Sequence, residues 1–249
     1  MRETLYGRQA IREVLRAGRR DVYRLFLVEG TVHAPIVDEI ASLAEARRIP
    51  IRSVSRYEME RMFGDENHQG VAVETSEYPY VDVEDIFDLA ENRDELPLLL
   101  ILDLLQDVHN LGSLIRTADA VGVHGVVLQG RRAAGVTAAV VNTSSGAVEH
   151  LLVAQVTNLA RTLMRLKEGD LWIVGLEDVY GAKPYIEADL TVPLGLVVGS
   201  EGSGLRRLVR DRCDWLISIP MRGQIESLNA AVAGSVALYE TLRQRTVYR

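Results

Sequence analysis

Cysteine is almost absent from this chain of 249 residues, which contains only Cys213. A single thiol cannot form an internal disulfide, and it excludes metal sites that are built from several cysteines. We expect Cys213 to be a small residue of the core. The five histidines do not recur at the spacing of a zinc site, so no metal is expected.

Long apolar runs are also absent. No stretch reaches the roughly 18 apolar residues that a transmembrane helix requires. The residues that follow Met1 are polar and charged, and they do not form an apolar signal region. The sequence therefore predicts a cytoplasmic protein without a membrane segment. Its length suits one large domain or two small ones.

Lysine is scarce: only Lys167 and Lys183 occur, so 26 of the 28 basic residues are arginines. The net charge of −7 is unusual for a protein that binds nucleic acid. However, residues 76–95 contain eight acids and one arginine, a local net charge of −7 that accounts for the whole imbalance. The flanking regions are therefore neutral. Arginine suits phosphate groups, although genomic base composition explains its abundance equally well.

Residues 1–75 show helical and strand patterns that predict a small α/β domain. Residues 76–96 follow, with many acids and prolines in or beside them, and they predict an acidic linker with a short helix at Val83–Ala90. The N-terminal helices are predicted at Gly7–Ala17, Ala34–Ala46 and Arg56–Phe63, and the strands at Val22–Val28, Ile51–Val54 and Gly70–Glu74.

From residue 97 onward, strands and helices alternate, which predicts a mostly parallel sheet with helices on both faces. Ligands of such sheets bind at the carboxyl ends of the strands. The strands are predicted at Leu98–Leu102, Gly125–Leu128, Leu171–Leu176, Leu194–Val198 and Trp215–Ile219. The helices are predicted at Ser113–Val121, Thr137–Thr143, Gln155–Leu166, Leu205–Arg212 and Leu228–Arg245.

Three segments of this region share one layout, in which a strand runs into a polar loop with glycine and then into a helix. They are Asp107–Arg116, Leu196–Gly204 and Ile219–Asn229. Such junctions present backbone N–H groups to a ligand, so we expect the three loops to form one site. The glycines of the second loop match neither the dinucleotide fingerprint nor the phosphate loop, and alone they would fit an ordinary turn.

Together these motifs resemble the SPOUT methyltransferases of the SpoU/TrmH class, which methylate ribose 2′-hydroxyls of RNA. The N-terminal region is similar to the substrate-binding domain of the bacterial 23S rRNA guanosine-2′-O-methyltransferase group. The matching motifs are Asn110-Leu111-Gly112 with Arg116, the segment Val198–Leu205, Ile219-Pro220-Met221 with Ser227-Leu228-Asn229, and, near the N-terminus, Leu5-Tyr6-Gly7-Arg8 with Asn67-His68-Gln69-Gly70-Val71.

The resemblance implies an α/β protein in which residues 97–249 form a SPOUT domain with a trefoil knot. It implies that residues 1–75 form an RNA-binding domain similar to ribosomal protein L30e. The expected methyl donor is S-adenosylmethionine. The expected assembly is a homodimer through the C-terminal domain, so Arg116 could serve the partner's site.

The resemblance also implies roles for particular residues. The catalytic group would be Asn110, Arg116, Glu201, Ser227 and Asn229. The donor would contact Val198, Gly199, Glu201, Gly202, Ile219, Met221, Ser227 and Leu228. Among the residues of the basic N-terminal region and the polar loop near residue 68, RNA contacts are expected at Arg8, Arg19, Arg20, His68 and Gln69.

Simpler roles compete with these. Arg116 could be a surface arginine paired with Asp103 or Asp119, and Asn229 could only cap a helix. A role of Arg116 as a base is physically awkward because guanidinium keeps its proton, so we favour a phosphate clamp that stabilises the forming alkoxide. One departure from the family pattern is Ala231, where a hydroxyl is often present.

The sequence thus predicts an S-adenosylmethionine-dependent RNA 2′-O-methyltransferase. The N-terminal domain favours a guanosine of 23S rRNA, on naked RNA or a pre-ribosomal particle, as the substrate. The alternatives are a tRNA ribose methyltransferase and a non-catalytic RNA-binding or ribosome-assembly factor.

Overall fold

The computed structural model describes residues 2–30, 34–64, 67–130 and 133–247. The chain forms two compact units. The N-terminal unit consists of Met1–Pro79 together with Val136–His150, and the C-terminal unit consists of Tyr80–Gly135 together with Leu151–Arg249. Residues 136–150, which we call the excursion, therefore belong to the N-terminal unit although they follow it at a distance in the sequence. The domain boundaries at residues 75 and 96 stay predictions.

The N-terminal unit is built on a four-stranded sheet. Its strands are β1 (Arg2–Tyr6), β2 (Val22–Val28), β3 (Ile51–Val54) and β4 (Val71–Ser76), and its helices are α1 (Arg8–Ala17), α2 (Pro35–Ala46), α3 (Arg56–Phe63) and α6 (Ala138–Thr143), followed by a 3₁₀ turn at Ala147–His150. The strand order is β1-β4-β2-β3, with β2 and β3 parallel and the other pairs antiparallel. The sequence does not predict β1, because its alternation is weak and its pairing with β4 is a tertiary interaction.

Helix α1 is the element against which the excursion packs. Its residues Ala10, Ile11, Val14 and Leu15 are buried, which confirms the helical period, and Gly18 ends it in the left-handed conformation at φ 66°. At the other end, a Cβ added to Gly7 would lie 2.6 Å from Oδ1 of Asn142 in α6. The close approach, together with the φ of 91° at Gly7, favours glycine at that position.

A buried ion pair joins the excursion to the rest of the N-terminal unit. The side chains of Arg20 and Glu149 are both fully buried, and the Arg20 Nε atom donates to the Glu149 carboxylate at 3.0 Å. Arg20 Nη1 also donates to Glu3 at 2.7 Å and to the carbonyl of Ser76 at 3.2 Å. Burial of the Arg20 charge is tolerated because Arg20 makes charge-assisted hydrogen bonds to the carboxylates of both Glu149 and Glu3.

The C-terminal unit contains a seven-stranded sheet of order β7-β6-β5-β10-β8-β11-β9, and each of these pairs is parallel. This confirms the mostly parallel α/β sheet. The strands are β5 (Leu98–Asp103), β6 (Gly125–Gln129), β7 (Leu152–Val156), β8 (Trp172–Leu176), β9 (Lys183–Pro184), β10 (Leu194–Gly199) and β11 (Trp215–Ser218). The helices are α4 (Val83–Asn92), α5 (Val108–Ala120), α7 (Leu159–Glu168), α8 (Arg207–Arg210) and α9 (Ala230–Val247), with a further 3₁₀ turn at Tyr185–Glu187.

The acidic segment is partly a structural element of this unit. Helix α4 lies within it and begins with a capping box formed by Asp82 and Asp85. Its residues Val83 and Ile86 belong to a core cluster that also contains residues of β5 and α7. Residues 83–92 are therefore packed rather than extended as a flexible tether, because the apolar side of α4 covers the sheet.

Two other differences from the predicted elements concern the residues at which helices begin. The sequence predicts one helix over Gln155–Leu166, whereas the structure has β7 up to Val156 and α7 from Leu159. Asn158 separates them by capping α7, so the helical periodicity was extended too far toward the N-terminus. Helix α5 begins at Val108, five residues before the predicted start, which places Asn110 in its first turn instead of in a loop.

Within the described residues, no helix is both long and apolar enough to span a membrane. The same residues contain no cluster of three or more histidine, cysteine or acidic side chains that could hold a metal ion. Cys213 packs beside the core cluster of the C-terminal unit, and burial raises the pKa of its thiol to about 12.

We predict that Glu149→Ala destabilises the protein strongly, because it leaves the buried Arg20 guanidinium without its main counter-ion. The expected loss in the free energy of unfolding is about 3 kcal/mol, measured by urea denaturation. Glu60→Ala is the matched control, since Glu60 pairs with Arg56 on the exposed surface of the same unit and should cost less than about 0.5 kcal/mol. Equal losses in the two variants would contradict the prediction.

We also predict a pH-dependent contribution to stability from His124. Burial lowers the pKa of this imidazole below its usual 6.5, and its Nδ1 accepts a hydrogen bond from the Leu98 amide at 3.0 Å. The folded protein therefore holds His124 neutral, so its contribution is complete above about pH 6.5 and is lost as the pH falls below that value. The difference in free energy of unfolding between wild type and His124→Asn should shrink between pH 7 and pH 5. If the difference in free energy of unfolding stayed constant between pH 7 and pH 5, the predicted role of His124 would be contradicted.

Candidate active site

The carboxyl ends of the central strands form one edge of the C-terminal sheet, and the three motif segments follow from there. Strand β10 lies between β5 and β8, and Gly199 at its end pairs with Asp103 at the end of β5. Residues 200–206 follow β10, and residues 219–229 lead from β11 to α9. Because parallel strands end at the same edge, these segments meet, as the sequence predicts.

A cavity of about 550 Å³ lies at this edge. The eight residues predicted to contact the methyl donor all line it: Val198, Gly199, Glu201, Gly202, Ile219, Met221, Ser227 and Leu228. The remaining lining residues are Leu176, Glu177, Asp178, Val179, Ser200, Ser203, Gly204, Ser218, Glu226, Ala230 and Ala233. The cavity therefore combines aliphatic side chains and a glycine-rich backbone with several carboxylates.

The loop after β10 is a tight turn that glycine makes possible. Ser200 and Gly204 form an isolated antiparallel bridge, and the Gly204 amide donates to the Ser200 carbonyl at 3.1 Å. A Cβ added to Gly199 would lie 2.4 Å from the Gly204 carbonyl group. The chain therefore folds back onto the end of β10, which leaves Glu201 and Gly202 at the tip of the turn and in the wall of the cavity.

Asn229 has two structural roles at once. Its Oδ1 accepts hydrogen bonds from the amides of Ala231 and Val232 at 3.0 and 3.2 Å, so it caps α9 as expected for an asparagine at this position. Its Nδ2 donates to Oδ1 of Asn110 at 2.8 Å and to the carboxylate of Glu201 at 2.5 Å. The helix cap therefore fixes the orientation of an amide that connects the three motif segments.

Asn110 is held by the start of α5. The Asp107 carboxylate caps this helix by accepting from the amides of His109 and Asn110 at 2.8 and 2.9 Å. Asn110 itself is only 8% exposed, and its amide group meets that of Asn229. A second contact between α5 and α9 lies farther along both helices, where the hydroxyls of Thr117 and Ser235 are 2.9 Å apart.

The structure does not bring Arg116 to this cluster. Six residues separate it from Asn110 along α5, which corresponds to about 9 Å along the helix axis and about 120° around it. Arg116 is exposed and is not among the residues that line the cavity. Asp103, one of its predicted partners, binds Arg206 instead. Four of the five predicted catalytic residues therefore lie at or beside the cavity, and Arg116 is not among the residues that line it.

A second concave surface, which we call the α5/α9 groove, adjoins the cavity and has a volume of about 650 Å³. Asn110 and Asn229 line it together with residues farther along both helices. Val232 and Tyr239 are 49% and 54% exposed there. The full lining is His109, Asn110, Ser113, Thr117, Tyr185, Asn229, Ala231, Val232, Ser235, Val236, Tyr239, Glu240 and Arg243.

In the N-terminal unit, Arg8 and Gln69 form an exposed pair. The Arg8 Nε atom donates to the Gln69 carbonyl at 2.9 Å, and the Arg8 amide donates to the Gln69 side chain at 3.2 Å. His68 is buried, and its Nδ1 accepts from the Gly70 amide at 3.0 Å. His68 therefore shapes the turn that presents the exposed Gln69.

For Arg20, the prediction of an RNA contact was wrong, because its side chain is fully buried in the ion pair with Glu149. Arg19 is also engaged within the N-terminal unit. Its Nη1 donates to the Tyr78 hydroxyl at 2.9 Å, and its Nη2 donates to the Pro79 carbonyl at 3.2 Å. The local excess of arginine in the sequence thus partly reflects internal pairing, which composition does not reveal.

Sequence reasoning missed Glu177, which lines the cavity and follows β8 directly. A usable signal was present, because a carboxylate that follows an apolar strand of a parallel sheet lies at the ligand-binding edge. Asp103 carries the same signal at the end of β5. Neither carboxylate belongs to a motif of the family resemblance, so the sequence analysis assigns no site role to Glu177 and only a possible ion pair to Asp103.

Comparison with known proteins gives the same assignment as the geometry. Residues 97–239 match the SpoU rRNA Methylase family, and residues 4–81 match the family described as RNA 2'-O ribose methyltransferase substrate binding. A relative from Bacillus subtilis (strain 168), named “Putative TrmH family tRNA/rRNA methyltransferase YacO”, is 44% identical over 239 residues, covering 96% of this chain and 94% of its own.

Solved structures agree with this comparison. The SpoU methyltransferase AviRb from Streptomyces viridochromogenes, in complex with the cofactor AdoMet, superimposes with a TM-score of 0.81 at 26% identity, covering 99% of this chain and 91% of its own. A structure described as an RNA 2'-O ribose methyltransferase gives a TM-score of 0.77 at 26% identity, covering 98% of this chain and 89% of its own.

The cavity of this chain suits such a cofactor. Aliphatic residues such as Val198, Ile219 and Leu228 can cover a flat purine, and the carboxylates of Glu177, Glu201 and Glu226 complement a cationic sulfonium and amino group. Two family matches, a close relative and this chemistry agree. The chain belongs to the SpoU/TrmH family of RNA methyltransferases, which use S-adenosylmethionine as the methyl donor.

Proposed function

We propose that this protein methylates the 2′-hydroxyl of a ribose in RNA, and that its substrate is a guanosine of 23S rRNA. The observation that carries the reaction type is the polar cluster of Asn110, Glu201 and Asn229, which lies beside a cavity suited to the donor. The N-terminal match to a substrate-binding domain of RNA 2'-O ribose methyltransferases supports a large structured RNA as the substrate. A cytoplasmic location stays part of the proposal.

S-adenosylmethionine supplies an electrophilic methyl group when it is bound. The protein must then hold the ribose hydroxyl in line with that group and accept a hydrogen bond from it. The Glu201 carboxylate uses one oxygen for Asn229 and keeps further acceptor sites. The amides of Asn110 and Asn229 are fixed by the caps of α5 and α9. These side chains can orient the hydroxyl without a rearrangement, and Ser227 lies beside them in the cavity wall.

Arg116 would then act in the site of a second subunit. We propose a homodimer in which the α5/α9 groove contacts a second copy, because exposed apolar side chains such as Val232 and Tyr239 lie there among polar groups. The groove includes Asn110 and Asn229, so a partner seated in it approaches the reaction site. Arg116 lies on α5 between Ser113 and Thr117, which line the groove, and it would clamp the target phosphate in the partner's site.

We also propose that the C-terminal unit contains a trefoil knot. Two features support it: β11 returns beside β8, and α9 packs closely on both β10 and α5. A Cβ added to Gly234 of α9 would lie 2.8 Å from Leu114 and 3.2 Å from Val198. The last helix thus lies on the central strand whose exit loop forms the donor cavity.

The test of the proposed function is transfer of a labelled methyl group from S-adenosylmethionine to unmodified 23S rRNA fragments and to tRNA transcripts. The product is mapped by cleavage that is sensitive to 2′-O-methylation. Label at one rRNA guanosine supports the full proposal. Label in tRNA alone keeps the reaction and overturns the substrate. If the donor binds and neither RNA nor pre-ribosomal particles accept label, the protein is a binding factor instead.

Variants of Asn229 separate its capping role from its role in the site. Asn229→Asp keeps the helix cap but loses both amide donors, whereas Asn229→Ala loses both functions. We expect methyl transfer to fall at least about a hundredfold in both, with a stability loss of about 1 kcal/mol for Asn229→Ala. Asn158→Ala is the matched control, since it removes only the cap of α7 and should keep activity. Full activity of Asn229→Asp would contradict the assignment.

Mixed dimers test whether Arg116 serves the partner's site. Arg116→Ala and Asn229→Ala should each be inactive as homodimers. If Arg116 acts across the interface, refolding the two variants together restores about a quarter of the wild-type rate, since half of the dimers are mixed and one of their two sites is intact. If Arg116 acts within its own chain, the mixture stays inactive. Sedimentation of the mixture verifies that dimers form.

A further inference from the structure

Two carboxylates flank the end of the central strand and hold the loop that forms the donor cavity. Asp103 ends β5 and pairs in register with Gly199. Glu177 directly follows β8, whose last residue Leu176 pairs with Val198. The two acids therefore lie on opposite sides of the end of β10, at the point where the chain enters residues 200–206.

Both carboxylates bind consecutive backbone amides of the same loop. The Arg206 amide donates to Oδ2 of Asp103 at 2.8 Å. The preceding amide, that of Leu205, donates to Oε1 of Glu177 at 3.3 Å. These residues form the returning limb of the glycine turn, which has Glu201 at its tip. Fixing two adjacent amides from both sides determines where that limb leaves the sheet.

Each carboxylate also has its own arginine from the segment that follows. Arg206 donates to Asp103 through Nε at 2.7 Å, and its Nη2 reaches the Gln129 side chain at 2.9 Å. Arg210 donates to Glu177 through Nε at 2.5 Å and through Nη2 at 2.6 Å. Such two-pronged pairs restrict direction as well as distance. Asp103 is completely buried, so its charge depends on these partners.

The glycines of the loop are matched to this arrangement. A Cβ added to Gly204 would lie 2.5 Å from Oε1 of Glu177, and Gly204 has φ 63°. A side chain at this position would therefore displace the carboxylate and also strain the backbone. The glycine requirement here reflects the approach of Glu177 as well as the shape of the turn.

We propose that Asp103 and Glu177 act as a pair of positioning residues for methyl transfer, a role that rests on the proposed function. By holding the amides of residues 205 and 206, they keep Glu201 within reach of Asn229 and keep Gly202 in the wall of the donor cavity. Asp103 acts only through the loop. Glu177 acts through the loop and in addition borders the cavity itself.

The test compares donor binding and stability in the full-length protein. Asp103→Asn and Glu177→Gln should weaken binding of S-adenosylmethionine, measured by calorimetry, by about tenfold to a hundredfold. The matched control is Asp214→Asn. Asp214 also accepts from a backbone amide, that of Ile173, at 2.8 Å and pairs with Lys167 at 2.6 Å, but it lies at the opposite ends of the strands. The Asp214→Asn change should lower the melting temperature and leave the affinity for S-adenosylmethionine within about twofold of the wild-type value.

A second pair of variants keeps the proposal testable if changing Asp103 or Glu177 unfolds the protein. Arg206→Gln and Arg210→Gln remove the exposed partners, and both side chains are more than a third exposed. They should weaken donor binding in the same direction while the protein stays folded. Donor affinity equal to that of wild type in all the folded variants of Asp103, Glu177, Arg206 and Arg210 would overturn the proposal.

A kinetic measurement distinguishes positioning from general destabilisation. At saturating donor, the Asp103→Asn change should lower kcat in the wild-type background and have no further effect in a Glu201→Ala background, because the loop then has no Glu201 to place. If the Asp103→Asn and Glu201→Ala changes lowered kcat additively, Asp103 would not act through the placement of Glu201. The binding measurement needs no RNA, so failure to find an RNA substrate would reject the proposed function without affecting the test of the two carboxylates.

Discussion

The burial of β10 between β5 and β8 is the constraint on which the site depends. Each residue of this strand is buried, so its exit loop has to find its backbone partners among the ends of the neighbouring strands and in the following helices. Asp103 and Glu177 supply those partners. The returning limb of the loop is consequently held at the sheet edge, and the loop forms part of the cavity wall.

The second organising feature is the use of helix caps to fix reactive polar groups. Asn229 satisfies the first amides of α9 with its oxygen and offers its nitrogen to Asn110 and Glu201. The Asp107 carboxylate accepts hydrogen bonds from the first amides of α5, which holds Asn110 in place. Helix starts require such acceptors in any case. The candidate site therefore obtains oriented amides from groups that helix stability already demands.

The N-terminal unit shows how charge in a sequence can mislead. Arginine near the N-terminus suggests an RNA-binding face, yet Arg20 is committed to Glu149, which is 129 positions away in the sequence. The excursion Val136–His150 makes that pairing possible, and its own glycines fit against α1: a Cβ added to Gly146 would lie 2.6 Å from Glu13. Charge counts identify available groups, and only tertiary contacts show which of them remain available to a ligand.

The sequence by itself predicted the α/β class and the parallel sheet, because apolar runs and glycine-bearing loops are local signals for strands and their ends. The eight residues expected to contact the methyl donor followed from the resemblance to the SpoU/TrmH class, and all eight line the cavity. The sequence did not reveal β1, the start of α5 at Val108, or the separation of β7 from α7, since pairing and capping partners decide those boundaries. Only the tertiary structure placed Asp103 and Glu177 on the two sides of the loop that follows β10. That result depends on which strands lie side by side, and it is not encoded in a single stretch of chain.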